Sequence, residues 1–469
     1  MDNAWRLLVD FLIIAILILG ISQFRTPRRA RAGNLAAACA LVCALIAVWW
    51  SNPVREPATV VLALAAGSAL GFLVAARVNM LQIPAMVAFQ HGAGGIAAFI
   101  TSFVELTRDR GELPAVGQFS GVLGIVIGAA TFSGSMVASA KLAGLVRQTP
   151  TFLPKHGWIL AGNVAAIAVA GTLAAAASGT FLLYGALLLM LLAILLGVVF
   201  SLRIGGADMP VLISFLNATA GLAAAFCGII IQNRLLVACG ATVAASGSIL
   251  THVMCQAMNR NLLKVLAAAD LRPESLAGTA PAGTAAPPPS PAAAEPPGAS
   301  PLARALEAAT SARNVIIIPG YGMALAHAQF EVVKLAGRLK ELGKEVKFAI
   351  HPIAGRMPGH MHVLLAEAEA DSNILFDLPE INSEFPQTDL AVIVGACDVV
   401  NPAAIHVEGT PISGMPILAA HEAKQVLVCN LDERPGYSGV PNPLYADPKT
   451  ILMFGDAKAS LSGLVQALN

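Results

Sequence analysis

Charge is scarce in this 469-residue chain: 12% of its residues are Asp, Glu, Lys or Arg, where an ordinary soluble domain carries about 25%. The little charge present nearly cancels, with Lys+Arg 29 against Asp+Glu 28. The basic excess needed to bind a phosphate backbone is therefore missing, and nucleic acid is not an expected partner. None of the seven cysteines forms a CxxC pair. Cys39, Cys43, Cys227, Cys239 and Cys255 fall in apolar stretches, and Cys397 and Cys429 lie beyond them. All seven read as small packing residues, not as disulfide or metal partners. The N-terminus also lacks a basic segment followed by an A-x-A cleavage site, so the first apolar run is expected to be retained as a span.

What the chain has in abundance is apolar sequence, 56% of its residues. Nearly charge-free windows of about 17 to 24 residues appear near 7–24, 34–50, 57–76, 82–104, 118–140, 157–177, 181–201, 210–231 and 235–257. Each is long enough to cross about 30 Å of hydrocarbon as a helix, and only helices or closed barrels satisfy the backbone there. The stretch from Gly157 through Leu202 is about twice the length of one crossing and must turn, with Ser178 to Thr180 the expected place. Nine spans put the two ends on opposite sides. Arg25, Arg28, Arg29 and Arg31, then Arg77, then Lys141, Arg147 and Lys155, then Arg203, and finally Arg260 and Lys264 follow the odd-numbered spans. The opposite loops hold only Arg6, Arg55, Arg108, Arg110 and Arg234. The positive-inside bias places the N-terminus outside and the C-terminal portion in the cytosol.

The composition then changes twice. Residues 268–300 are rich in Pro, Ala and Gly and read as a semi-extended linker. It divides a membrane domain, 1–267, from a soluble one, 301–469. In the latter, apolar strands at 315–319, 346–352, 390–396, 424–430 and 451–458 alternate with helices, the first of them over 327–343. Such alternation predicts an α/β doubly wound parallel sheet of Rossmann-like type.

The first strand runs into Gly320-Tyr321-Gly322-Met323-Ala324-Leu325 and a helix, the setting of a dinucleotide fingerprint. Two glycines permit the tight turn and close approach to a pyrophosphate, while Leu325 stands where a third Gly or Ala is usual. A second Gly-rich turn, Ala354-Gly355-Arg356-Met357-Pro358-Gly359, offers Arg356 as a fixed cation. A third, Gly395-Ala396-Cys397-Asp398, ends the third strand, where ligands collect in open parallel sheets.

The strings GYGMALAHAQ, HPIAGRMPGHMHVLLAEA, GACDVVNPAA, GMPIL, GYSGVPNPLY and FGDAKAS resemble the NADP(H)-binding domain of the β subunit of proton-translocating NAD(P) transhydrogenases. In the apolar part, GAATFSGSMVASAKLAG, IGGADMPVLISFLNATAG and MCQAMNRN resemble the same subunit. The resemblance covers nearly the whole chain apart from the linker. It implies a multi-pass enzyme of a bacterial-type inner membrane, in which hydride passes between NAD(H) on a separate α subunit and NADP(H) held here, coupled to proton translocation and without a metal. A homodimer of αβ units is the expected assembly. The resemblance assigns nucleotide contacts to Gly320, Tyr321 and Gly322, to Ile353, Ala354, Gly355, Arg356, Met357 and Pro358, and to Gly395, Ala396, Cys397, Asp398 and Val399. Gly414 and Met415 follow, then a closing lid of Asn430, Leu431, Asp432, Glu433, Arg434, Pro435, Gly436 and Tyr437, and finally Asp456 with Ala457. One departure stands out: relatives usually carry Lys-Arg-Ser where this chain has Asn430-Leu431-Asp432. An acidic residue there suits a ribose 2′-hydroxyl and repels a phosphate. NADP(H) is still the expected ligand over NAD(H), with Arg434 or Lys424 as the replacement cation.

His91 lies about nine residues into the fourth span, at a depth where an ionisable group is costly. Either it is a neutral histidine bonded to a carbonyl or it carries protons; the resemblance implies the second, with Asn217 as its polar partner. Thr131, Ser135 and Ser139 share one face of the fifth span, Ser214 and Asn217 one face of the eighth, and Ser248 and His252 one face of the ninth. Rows of this kind also serve to glue helices together. Gly124 and Gly128 need mean only close packing. Asp208, before Met209-Pro210, is either a helix N-cap or a contact reporting nucleotide state to the membrane. Asp398 and His351 each end a strand, as a protonation-sensing pair or as two unconnected surface residues. The rival reading of the whole chain is a channel or transporter gated by a nucleotide-sensing domain, without hydride chemistry.

Overall fold

The computed structural model describes residues 3–23, 27–54, 56–79, 82–108, 114–147, 151, 153–205, 208–257, 262, 300–357, 359–408, 410, 412–436 and 438–468. The linker reading at 268–299, the loop charges Arg25, Arg55, Arg110, Arg260 and Lys264, and the site positions Pro358 and Tyr437 lie outside these. The chain forms two compact units, Met1–Thr251 and His252–Asn469.

Nine helices among the described residues are long and apolar enough to cross a membrane. They are α1 (Asn3–Ser22), α2 (Pro27–Ser51), α3 (Pro57–Arg77), α4 (Ile83–Thr107), α5 (Ala115–Leu142), α6 (His156–Ala176), α7 (Gly179–Leu202), α8 (Met209–Ile230) and α9 (Arg234–Ala257). Proline begins several of them, in the first turn of α3, α4 and α8, where its missing N–H leaves no bond unmade. The long apolar stretch turns where expected. Ser178 is extended, and Gly179 adopts φ +58, a left-handed conformation that costs glycine little.

In the first unit α5 is central, packing on α4, α7 and α8. Small residues make these contacts. A Cβ on Gly95 would stand 2.8 Å from Gly128 O, and one on Gly197 would stand 2.2 Å from Ala130 O. Gly128 of the Gly124/Gly128 pair therefore serves the close crossing of α4 and α5, as small residues do between membrane helices. No residue of α3 is buried within the chain.

The second unit contains one six-stranded parallel sheet. Its strands are β1 (Asn314–Pro319), β2 (Glu345–Ile350), β3 (Leu375–Asp377), β4 (Leu390–Val394), β5 (Gln425–Asn430) and β6 (Thr450–Phe454), arranged β3-β2-β1-β4-β5-β6. Every residue of β4, and all of β1 and β5 beyond the first, is buried, because helices cover both faces of such a sheet. The sequence predicts five strands and misses β3. That strand has three residues and pairs only with β2, through Phe348↔Leu375 to Ile350↔Asp377, so it is too short to show a pattern. The expected helix over 327–343 runs Gln329–Glu341.

Candidate functional site

The order of this sheet reverses direction between β1 and β4, the switch point at which ligands bind in open parallel sheets. The register sets Pro319 opposite Val394, so Gly320 and Gly395 leave adjacent strands side by side. Gly320 N donates to Val394 O at 2.8 Å and Gly322 N to Gly395 O at 2.8 Å. Contact is so close that a Cβ on Gly320 would lie 2.3 Å from Gly395 O, one on Gly322 2.7 Å from Gly395 Cα, and one on Gly395 2.0 Å from Met323 N. Gly395 also holds φ +68. No side chain fits here, which leaves the strand ends as a backbone floor of the kind a pyrophosphate approaches. The helix after Gly320 is one short turn, Tyr321–Leu325. His327 at φ +49 closes it before the long helix restarts at Gln329.

The second Gly-rich turn lies against the first. The Arg356 guanidinium stacks 4.5 Å from the centre of the Tyr321 ring, and His360 lies 6.1 Å from it on ring centres. His360 Nδ1 accepts from Arg356 N at 3.1 Å, and Gly355 at φ +115 is pressed on this imidazole, 2.6 Å separating a Cβ there from Nδ1. Burial, helped by the Arg356 charge, pushes His360 down to about 4. Its Nε2 is buried without a hydrogen-bond partner, as is Asn430 Oδ1. These unmet polar atoms, with the glycine floor and a held guanidinium, fit a polar anionic ligand such as a dinucleotide. Ile353 packs on the sheet core and on the cluster of Ala403, Ala404, Ile412, Met415 and Ile417. Ala354 N donates to His351 O and His360 N to Met357 O, which closes the 351–360 loop on itself.

The third loop is tied to Gly436 and Ser438, at the end of the stretch expected to act as a lid. Ser438 donates to Asp398 through its N–H (3.1 Å) and its hydroxyl (2.6 Å), and a Cβ on Gly436 would stand 2.7 Å from the same carboxylate. Asn430 turns inward, its Nδ2 donating to Ala396 O at 2.9 Å and to Tyr445 Oη at 2.7 Å. Leu431 is 74% exposed. Asp432 accepts from Arg434 N at 3.0 Å, and Arg434 Nε lies 3.6 Å from its carboxylate in the open. Glu433 and Pro435 continue this exposed segment. Burial raises the Cys397 thiol and drives Cys429 up to about 12, so both stay protonated. Val399 O accepts from Leu418 N, while Gly414 at φ +71 donates to Ala404 O. Asp456 caps the helix Ala457–Ala467 through Ala459 N, and the preceding Gly455 N–H reaches Asn430 O.

Lys424 is not at this edge. It precedes β5 and pairs with Asp389 at 2.8 Å, a strand length of about 20 Å from Asn430 at 3.3 Å per residue, so it is no substitute for a basic lid residue. Nor do His351 and Asp398 form a sensing pair, and His351 is not a surface residue either. His351 is buried to 1%, with Nε2 donating to Pro416 O at 2.8 Å and Nδ1 accepting from Ile353 N at 3.2 Å, whereas Asp398 holds Ser438. Sequence reasoning passed over Ser438, Asn401, Asn442 and Tyr445. Asn401 bonds Val440 O and Pro441 O, and Asn442 bonds Cys397 O, stitching the third loop to the segment after the lid. Their signal was a pair of Asn-Pro steps, typical turn initiators.

In the membrane unit, His91 is half-buried on α4, and its Nδ1 is buried without a partner. A Cβ on the next residue, Gly92, would stand 3.2 Å from Ser135 Cβ of α5, and Ser135 Oγ is likewise buried and unpartnered. Thr131 donates to Thr219 of α8 at 2.9 Å, and Ser139 to Ala85 O of α4 at 2.8 Å. Ser214 bonds back to Pro210 O within α8, and Asn217 Nδ2 lies 3.0 Å from where a Cβ of Gly247 on α9 would stand. Ser248 and His252 are exposed and do not line the interior of the bundle. Asp208 occupies the N-cap position of α8, yet its carboxylate makes no capping bond.

Residues 7–467 match the family model described as the NAD(P) transhydrogenase beta subunit. The NAD(P) transhydrogenase subunit beta of Rhodospirillum rubrum is 39% identical over 462 residues, covering 97% of each chain, and its counterpart in a named strain of that species matches equally. With agreement along nearly the full length of both chains, this chain belongs to the NAD(P) transhydrogenase β-subunit family.

Proposed function

We propose that the chain is the NADP(H)-binding half of a Re/Si-specific, proton-translocating transhydrogenase that works with an NAD(H)-binding α subunit. Its membrane domain is 1–267, its tether 268–300 and its nucleotide domain 301–469, which faces the cytosol from a bacterial-type inner membrane as part of a homodimer of αβ units. The observation that carries this reading is the glycine-floored cleft between β1 and β4 in a chain that also has nine apolar helices among its described residues.

When bound, the nicotinamide supplies the hydride acceptor or donor. The backbone floor of Gly320, Gly322 and Gly395 accepts the pyrophosphate, and Arg356, held over the Tyr321 ring, supplies charge beside it. The lid closes by docking Gly436 and Ser438 on Asp398. Arg434 is available for a 2′-phosphate, because its exposed 3.6 Å contact with Asp432 is worth under about 1 kcal/mol.

On the membrane side, the unpartnered Nδ1 of His91 and Oγ of Ser135 flank one helix crossing and support a proton relay there, for which Asn217 of α8 is the proposed polar partner. Asp208, which directly precedes α8, is the contact proposed to report nucleotide state. If lid closure and protonation bias one equilibrium, each changes the other by linkage. Moving one charge through about 100 mV is worth about 2.3 kcal/mol, which shifts a balanced hydride exchange roughly 50-fold.

The test uses the αβ enzyme in proteoliposomes. Hydride exchange between nucleotide analogues should proceed and respond to an uncoupler, and NADPH should bind more tightly than NADH. A gated channel shows no hydride exchange at all, and tighter NADH binding overturns the cofactor assignment alone.

A further inference from the structure

A helix leaves its last four carbonyls without helical partners, and at a buried helix end water is not there to meet them. The last four of α7 are Val199, Phe200, Ser201 and Leu202. His156, at the start of α6, places Nε2 at 3.0 Å from Val199 O while its Nδ1 accepts from Leu153 N, so Nε2 carries the proton and donates. Thr151 N donates to Leu202 O at 3.0 Å. The rest of the work falls to Lys141, the last charged residue of α5, which is wholly buried. Its Nζ donates to Ser201 O at 3.1 Å, Leu202 O at 2.8 Å and Ile204 O at 2.8 Å. Three acceptors use all three donors of an ammonium group. The negative end of the α7 dipole, in place of a carboxylate, offsets the charge.

Burying a cation only to end a helix is expensive where an apolar residue would pack as well. Position gives Lys141 a further role. One residue past the last carbonyl it holds, Gly205 O accepts Asp208 N at 3.1 Å, and α8 starts at Met209. Two residues before Lys141, Ser139 fastens α5 to Ala85 O, six positions before His91 on α4. Lys141 thus stands between the helix that carries His91 and the turn that carries Asp208.

We propose that Lys141 is a positioning residue for the coupled reaction: its three bonds fix the end of α7 up to Ile204 and so set where Asp208, bonded to Gly205 O, stands, with His156 as the lesser support. This rests on the reading of Asp208 as the coupling contact.

The experiment uses the αβ enzyme in proteoliposomes under an imposed pH gradient, with Lys141→Met and Lys141→Arg compared with the wild type. Lys141→Met should lower the gradient-driven kcat about tenfold or more, the loss expected for removing charge-assisted bonds, with the KM for both nucleotides unchanged. Lys141→Arg, whose guanidinium keeps charge and several donors, should restore kcat to within about threefold. Should Lys141→Met fail to assemble, Lys141→Gln, with two donors and no charge, should give the same split between kcat and KM to a smaller degree. Wild-type kcat in Lys141→Met, equal damage to kcat and KM, or no rescue by arginine overturns the proposal. A wild-type enzyme indifferent to the gradient instead defeats the functional reading beneath it.

Discussion

Phe72 and Phe181 in the membrane unit are 73% and 82% exposed, whereas Phe348 and Phe385 in the nucleotide unit are wholly buried. The same side chain does opposite things because the solvents differ. In water, burying Ile316, Ile318, Phe385 and Val428 drives the sheet to form. In lipid, turning a large apolar residue inward gains little, and Ala88, Ala129, Ala193 and Ala223 are buried alongside Ile125, Leu189 and Leu212 where the helices pack. Glycine alone plays one part in both: it lets α4 meet α5 and α5 meet α7, and it lets the end of β1 meet the end of β4. Burial of large residues from water therefore drives one unit to form, and small residues set the closest helix crossings in the other.

The sharpest way to break this comparison is at the shared glycines. Gly395→Ala places a Cβ 2.0 Å from Met323 N on a left-handed backbone, a cost of about 4 kcal/mol or more. It should lower nucleotide affinity at least about 100-fold in the αβ enzyme while leaving assembly with the α subunit intact; wild-type affinity by calorimetric titration would refute the cleft.

Acid separates the units next. Burial pushes His351 down to about 4, against its bond to Pro416 O, so the unfolded chain, titrating near 6.5, takes up the proton first as pH falls. Stability is thus complete above about pH 6.5 and is lost progressively down to about pH 4, by up to about 3 kcal/mol. His360 acts in the same direction. Hydrogen exchange of β1, β4 and β5 amides, corrected for intrinsic rates, should show that loss, and flat protection over this window would contradict it.

Gly197→Ala, with a Cβ 2.2 Å from Ala130 O, should cost about 2 kcal/mol of membrane-unit stability. A lowered melting temperature in detergent with unchanged nucleotide affinity is the expected pattern; altered affinity with normal melting would reverse it. Smallest is Lys424→Met. Asp389 is held at about 2 by Lys424 and by the Asn314 and Arg313 amides, but Lys424 is largely exposed. Its loss should cost under about 1 kcal/mol, and a larger drop in chemical denaturation would mean the pair is better shielded than its exposure indicates.

The nine helices could be read from the sequence because a missing charge is itself the signal, and the turn at Gly179 followed from length alone. Two of the three glycine loops were readable for a local reason, since Gly320 and Gly395 directly follow apolar strands, and the third stood out by carrying Gly355 and Gly359 shortly after β2. What escaped was non-local. β3 has too few residues for a pattern, and Ser438 meets Asp398 across 40 positions. Lys141 looked like one loop charge among several, because the carbonyls that bury it lie 60 to 63 residues away. Periodicity put Ser248 and His252 on one face of α9, but not which neighbour, if any, that face would meet.

The central claim is that protonation within the helix bundle and nucleotide turnover share one equilibrium. The direct measurement is hydride transfer by the αβ enzyme in sealed proteoliposomes, with and without an imposed pH gradient, for wild type and His91→Ala. The account predicts that the gradient changes the wild-type rate and leaves His91→Ala unaffected, with nucleotide affinity equal in the two. A wild-type rate indifferent to the gradient, or full coupling in His91→Ala, would contradict it.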